Sequence, residues 1–260
     1  MLPALLNYLR GARQTRGPVL PDLMDVNRGL PTLTSSPCIH NEGCTTCADG
    51  CVSDAISLST EDTAMVTLDL GKCLACGHCT HACPTGTIAA SRITRTAVRQ
   101  RSNLVLTAGV TSPPAATNMR EMFRNSLVVR YVSTGDNATD MEVNACMNPL
   151  FDASRFGIQF TASPRFADAL LIGGPVPLAM HEPLRATFEA MAHPRLVIAA
   201  GMQAVSGGLF TGGYTKADGV GKVLQPDIWI PGNPPHPWMI IHGLLLAMGH
   251  PLAFANQLDP

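Results

Sequence analysis

Eight of the chain's nine cysteines fall between positions 38 and 83, and their spacing restricts what that stretch can become. One run reads Cys73-x-x-Cys76-x-x-Cys79-x-x-x-Cys83, with Pro84 behind it; the other is Cys38, then Cys44-x-x-Cys47-x-x-x-Cys51. Clustered C-x-x-C units favour bound metal over disulfides. No stretch near the first residue combines a basic flank, an apolar run and a small-residue cleavage site, so no secretion signal is read. Thiols held for metal in a reducing compartment are the expectation.

Zinc would use two cysteine pairs well separated in sequence. Here each run carries a third and a fourth cysteine, the arrangement of two-cluster ferredoxins. A cubane cluster needs four thiolates from different directions. Three of them come from one run and the fourth from the other. On that crossed scheme Cys38, Cys44, Cys47 and Cys83 hold one 4Fe-4S cluster, and Cys73, Cys76, Cys79 and Cys51 hold a second. Two departures stand out. Five residues separate Cys38 from Cys44 where two are usual, and Val52 replaces the proline that would follow the first run. His40 lies in the longer loop and is expected on its surface rather than on a metal.

The remaining sequence divides by composition. Residues 1–37 open with Leu2, Leu5, Leu6 and Leu9, then turn rich in proline, arginine and glycine; they read as a docking helix and an extended arm. Residues 38–90 are the ferredoxin domain, and 91–127, with Pro113-Pro114, read as a linker. From 128 to 260, short apolar runs at 128–132, 157–161, 168–173, 195–200 and 226–230 alternate with helical or Gly/Pro-rich stretches. That alternation predicts buried parallel strands. His181 to Ala192 and Pro235 to Gly249 are predicted helices. The fold class expected is an α+β ferredoxin-type domain followed by an α/β domain with a mainly parallel sheet.

Charged residues make up only 14% and hydrophobic ones 46%, which points to surfaces covered by partners. A net charge of -1 gives no electrostatic reason to expect nucleic acid. The apolar stretch Trp238 to Ala255 contains His242, His250 and Pro251 and reads as a buried helix, not a membrane span. Gly207-Gly208 and Gly212-Gly213 lack the endings of phosphate-binding loops.

Residues from about 126 onward resemble the small subunit shared by membrane-bound nickel–iron hydrogenases, formate hydrogenlyase and respiratory complex I. The matching stretches are Asn148-Pro-Leu-Phe-Asp-Ala-Ser-Arg-Phe-Gly157, Ser163-Pro-Arg-Phe-Ala-Asp-Ala-Leu-Leu171, Ser206-Gly-Gly208 and Asp227-Ile-Trp-Ile-Pro-Gly-Asn-Pro-Pro235. The cysteine-rich half resembles the two-cluster ferredoxin subunit of the same complexes, so the chain looks like a fusion of two neighbouring subunits. The resemblance implies one further cluster in the α/β domain. At its positions this chain has Ser133-Thr-Gly-Asp136-Asn-Ala-Thr139, Gln203 and Asn233, none of them a thiol. Loss of that cluster is expected, with Asp136, Gln203 and Asn233 converging on a space filled by polar groups or water. Glu142 and His236 are further side chains available to that pocket. Cys146, alone, is expected to be a small buried hydrophobe.

The resemblance further implies a large hydrogenase-like or complex-I-like partner subunit, membrane-arm subunits, a soluble electron donor, and a cytoplasmic position on the inner face of the membrane. No acid–base or nucleophile constellation is visible, so electron transfer and support are the expected roles. Two alternatives stay open: a scaffold in a complex-I-like assembly without hydrogenase chemistry, and a free ferredoxin with an appended binding domain.

Overall fold

Two antiparallel ribbons carry the cysteine loops. The computed structural model describes residues 20–59, 65–107, 123–135, 138–215 and 218–254. Strand β1 (Leu30–Leu33) pairs antiparallel with β4 (Ile88–Ser91), bringing Leu33 opposite Ile88. Strands β2 (Ile56–Ser59), β3 (Met65–Asp69) and β5 (Val105–Thr107) form a second antiparallel sheet in the order β2-β3-β5. Between them lie two one-turn helices, α1 (Thr46–Asp49) and α2 (His78–Ala82). They touch where Gly50 meets the His78 ring: a Cβ on Gly50 would sit 2.1 Å from Nε2. Ile56, Val66, Leu68, Leu70, Ile88 and Leu104 bury the shared apolar face.

The strand pairing reaches beyond 38–90 on both sides. The stretch expected to be an arm supplies β1, and the stretch expected to be a linker supplies β5. Neither has the length or period that marks a strand in isolation; each is fixed by a partner more than thirty residues away. The expected docking helix lies in residues 1–19, outside the described residues, as does 108–122 of the expected linker.

The α/β part is built as its apolar runs require. Strands β6 (Leu127–Ser133), β7 (Ile158–Phe160), β8 (Ala169–Gly173), β9 (Leu196–Ala200) and β10 (Ile228–Ile230) form one parallel sheet in the order β10-β9-β8-β6-β7. Every residue of β8, β9 and β10 is buried, as in sheets covered on both faces. Aspartates set the register at two strand starts. Val128 N–H donates to Asp168 Oδ2 and Val197 N–H to Asp227 Oδ2, each at 2.9 Å.

Four helices cover the sheet: α3 (Thr139–Ala145), α4 (Leu178–Glu189), α5 (Met202–Ser206) and α6 (Pro237–Met248). Helix α4 starts three residues earlier than the pattern predicted, carrying Pro183 inside it, and α6 matches its expectation to within two residues. Pro237 opens α6, His236 Nδ1 accepts from Trp238 N–H, and Gly249 closes it at φ 66. All twelve residues of α6 are buried, and no described helix is long and apolar enough to cross a membrane.

Residues 97–99 stitch the two parts together. Val98 and Trp229 exchange backbone hydrogen bonds of 2.9 and 2.8 Å, so Val98 extends the open edge at β10. Arg99 Nη2 donates to Leu246 O at 2.7 Å, and Ala97 N–H donates to His242 Nδ1 at 3.2 Å. Burial lowers the His242 pKa to about 4; Ala253 opposes this and the Arg95 charge adds to it. The ring therefore stays neutral and able to accept. An unfolded histidine takes a proton near pH 6.5 that the folded one refuses. The stability this burial supplies is complete above pH 6.5 and is lost as pH falls toward 4. Replacing His242 by Phe should cost about 1–3 kcal/mol at pH 7, through the orphaned Ala97 N–H. It should also flatten the loss between pH 6.5 and 5, by at most about 1.4 kcal/mol per pH unit. Denaturant melts at both pH values measure each effect.

Candidate iron–sulfur site

Each cysteine loop is shaped by its own turn chemistry. After Cys38 the longer loop makes a 3-10 turn at His40–Glu42, ending on Gly43 at φ 90. His40 Nδ1–H donates to the Cys44 carbonyl at 2.9 Å, so this half-buried histidine staples the inserted loop. Helix α1 then presents Cys47, and Cys51 follows one turn later, its sulfur receiving the Ala55 N–H at 3.3 Å. In the second run the Cys73 sulfur receives the Ala75 N–H at 3.3 Å. Ala75 and Gly77, at φ 56 and 79, swing the chain around the exposed Cys76. Cys79 sits on α2, and Cys83 follows directly after that helix.

The fold brings these eight thiols together in two groups. The electrostatic neighbours of Cys47 are Cys38, Cys83 and Cys44. Those of Cys73 are Cys79, Cys51 and Cys76, and Cys79 adds a weaker contact to Cys47. The fourth cysteine of each run thus lies with the first three of the other. Cys51, Cys73, Cys76 and Cys79 line one pocket, which Cys47 also reaches.

Their ionisation is coupled to this crowding. Burial pushes the Cys73 thiol up to about 12, with the Ala75 N–H pulling back and the neighbouring thiolates adding to the rise. Cys79 rises to about 11 through burial, then through Cys76 and Cys51. Cys47 is raised too, chiefly by burial. Cys83 goes the other way. Burial raises it, but the Ile88 N–H, the Thr85 hydroxyl and the N–H groups of Thr85 and Thr87 together lower it to about 7. Soft ligands that repel one another when ionised fit a polynuclear cationic core. Among the described residues, no three His, Cys, Asp or Glu side chains are close enough to share a single metal ion.

Residues 37–87 match the family described as 4Fe-4S dicluster domain, and residues 137–247 match NADH ubiquinone oxidoreductase, 20 Kd subunit. The chain is 43% identical over 129 residues to the uncharacterized protein MJ0516 of Methanocaldococcus jannaschii, covering 49% of this chain and 86% of that one. The chain belongs to the NADH ubiquinone oxidoreductase 20 Kd subunit family. It is also 37% identical over 122 residues to the probable membrane-bound hydrogenase subunit mbhJ of Pyrococcus furiosus, covering 46% of this chain and 72% of that protein. With formate hydrogenlyase subunit 7 of Escherichia coli K12 the identity is 37% over 134 residues, covering 52% of each. The chain therefore spans about half the length of that last relative.

Within the 20 Kd-type domain, Cys146 is the one cysteine, fully buried on the end of α3 with its S–H directed to the Glu142 carbonyl at 3.2 Å. Burial raises its pKa strongly, as suits a small hydrophobe. The loop after β6 is closed by hydroxyls. Thr134 Oγ1 donates to Gly173 O at 2.8 Å and accepts from Val176 N–H at 3.0 Å. Tyr131 OH and Ser133 Oγ both donate to the Asp140 carboxylate. Asp136 lies outside the described residues.

Asn233 and Gln203 part company. Asn233 lines a cavity of about 460 Å³ between the two parts of the chain, with Arg28, Cys76, Glu142, His236 and Met239. Gln203 is not in that lining; its Oε1 is buried on α5 without a hydrogen-bond partner. Asn233, Glu142 and His236 thus share one cavity, and Gln203 sits on α5 beside Gly208. The hydrogen bond from Met202 N–H to Gly232 O at 2.7 Å fixes the α5 start, and the Gln203 stem lies against Gly208 instead. Arg28 was missed from sequence altogether. It donates from Nη1 to the Cys76 carbonyl at 3.0 Å, across 48 residues, with no motif to announce it.

The thiol order yields a prediction for the metal-free chain. At pH 7 Cys83 is about half thiolate, while Cys73 and Cys79 remain protonated, so brief iodoacetamide treatment should label Cys83 well ahead of those two. Peptide mass spectrometry reads the order, and the Cys83 rate should drop about fivefold from pH 7 to 6.

Proposed function

We propose that this chain is an iron–sulfur electron-transfer subunit of a membrane-associated, hydrogenase-like or complex-I-like assembly, carrying two 4Fe-4S clusters and no third. The observation that carries the reading is the crossed grouping of eight thiols on a chain whose other half is a 20 Kd-type domain. Cys38, Cys44, Cys47 and Cys83 would hold one cluster, and Cys51, Cys73, Cys76 and Cys79 the other. Such clusters supply one-electron transfer at potentials set by ligand, burial and hydrogen bonds to sulfur. The chain's own contribution is to place the thiols, to direct the Ala55 and Ala75 N–H groups at sulfur, and to keep water away from Cys47 and Cys73.

The names of the relatives, a membrane-bound hydrogenase subunit and a formate hydrogenlyase subunit, support a large catalytic partner and membrane-arm neighbours. The low charge content agrees with covered surfaces, and a soluble donor would meet the cysteine-bearing part. The assembly would place the chain peripherally, on the cytoplasmic face. In the α/β domain, hydroxyls, Gln203 and Asn233 stand at the positions where the resemblance calls for thiolates, and carboxamides do not replace them as cluster ligands. The chain would thus combine, in one polypeptide, two subunits that the family keeps apart.

Anaerobic assay should return about eight irons and eight acid-labile sulfides per chain. A third paramagnetic centre in the reduced protein would reject the proposed loss. Cys83→Ser should damage the cluster shared with Cys38, Cys44 and Cys47 while leaving the other spectrum intact. Loss of the Cys73, Cys76 and Cys79 signal instead would show that the runs are not crossed.

A further inference from the structure

Residues 20–29, before β1, form a strap fastened at several points. Its own Leu20 and Leu23 are buried. Leu23 N–H donates to Arg92 O at 2.8 Å, Thr94 Oγ1 to Pro21 O at 3.0 Å, and Arg95 Nη1 to Leu20 O at 3.2 Å. Ion pairs join Arg92 to Asp25, and Arg95 to Asp22 at 3.7 Å. At its end Gly29 adopts φ 66 with Ser91 O only 1.9 Å from where a Cβ would stand. No other residue fits there without moving the strap.

These fastenings deliver Arg28 to one place. Its Nη1 donates to the Cys76 carbonyl, and its stem lies over Gly77, with Cδ 3.4 Å from that glycine's Cβ position. Among the described residues, no carboxylate lies within ion-pair distance of Arg28. The other thiol group has no such cation on its loops. His40 bonds the Cys44 carbonyl, and Thr46 and Thr85 hydroxyls stand 3.7 Å from the Cys44 and Cys83 sulfurs. The group of Cys51, Cys73, Cys76 and Cys79 therefore has Arg28 bonded at the Cys76 turn, besides the exposed Lys72 next to Cys73 in the chain, and the loops of the other group carry no lysine or arginine.

We propose that Arg28 is a positioning residue for the cluster of Cys51, Cys73, Cys76 and Cys79, fixing the Cys76–Gly77 turn and raising that cluster's potential above its partner's. The inference rests on the electron-transfer reading above. Adding an electron makes a thiolate-ligated cluster more negative, and a nearby cation favours the reduced form. Because Arg28 is exposed, water screens part of the effect. Removing the charge should lower the reduction equilibrium of that cluster about three- to tenfold. Tenfold corresponds to about 59 mV for a one-electron couple.

The test is a redox titration of the full-length holo-protein followed by electron paramagnetic resonance. Cys76→Ser and Cys44→Ser assign the two signals. Arg28→Gln should lower the midpoint of the signal altered by Cys76→Ser and leave the other in place, while Arg28→Lys, which keeps the charge, should restore most of the difference. Equal shifts in both signals, no shift, or movement of the Cys44-linked signal would overturn the role of Arg28. If Arg28→Gln fails to assemble, a Lys72→Gln holo-protein, which removes the other cation next to that group and keeps Arg28, still decides the matter. The gap between its two potentials should narrow as salt rises from about 0.05 to 1 M, and a gap indifferent to salt would count against the proposal. A wild-type chain assembling fewer than two clusters would instead defeat the electron-transfer reading itself.

Discussion

Thiols gathered out of water and close to one another cannot all ionise unless something cationic sits among them. That constraint governs the stretch from Cys38 to Cys83. Cys73 and Cys79 are pushed to about 12 and about 11 by burial first and by neighbouring sulfurs after it. The surrounding frame is slight: strands of three to five residues and two helices of one turn each. Such a frame buries little apolar surface for its length. Metal–thiolate bonding therefore belongs to its folding free energy as well as to its chemistry. The crossed grouping strengthens the coupling, since each group takes thiols from both runs and ties α1 to the chain end of α2.

How much of this was legible in the sequence depended on whether a residue's partner was local. The cysteine runs were legible because ligand spacing is a local property: three thiols must wrap one corner of a cage. The five parallel strands were legible because burial on both faces forces continuous apolar runs, as in Ala169–Gly173 and Leu196–Ala200. Strands β1 and β5 were not, because Leu30–Leu33 and Val105–Thr107 are too short to show a period and owe their form to partners far along the chain. Arg28 belongs to the same class. Its position follows from Gly29, from Ser91 and from the bonds at 92–95, none of which a local pattern connects to Cys76.

The α/β part keeps its shape without a thiol lining for a reason visible in its loops. Thr134 ties the end of β6 to the approach to α4 with two hydrogen bonds, to Gly173 O and from Val176 N–H. Asp140 gathers the hydroxyls of Tyr131 and Ser133, and burial first, then the Asp140 carboxylate, holds the Tyr131 phenol well above its usual range. Gly173 and Gly174 make this closure feasible: a Cβ would meet Tyr131 Oη at 2.4 Å or Gly135 O at 2.4 Å. Hydroxyl-to-backbone bonds satisfy buried polar groups at modest net gain each, and several together suffice where the sheet already supplies the hydrophobic burial.

That division of labour explains why the junction carries so much of the architecture. The sheet is stable through its own apolar faces, whereas the cysteine-bearing part leans on its thiol groups. The two meet through Val98 on Trp229, Ala97 on His242 and Arg99 on Leu246. All three contacts come from one short stretch just past β4, and the two parts also face one another across the cavity lined by Arg28, Cys76, Asn233 and Met239. The strap is bonded to residues 92–95 immediately before that stretch and reaches Cys76 at its other end. A displacement of α6 against the sheet would pass through His242 and Ala97 to the strap, and from the strap to the turn that presents Cys76. The cavity holding Glu142, Asn233 and His236 lies beside that same cysteine. The surroundings of both thiol groups thus connect to the strap, one through Arg28 on the Cys76 carbonyl and the other through β1 and β4, which flank Cys38 and Cys83.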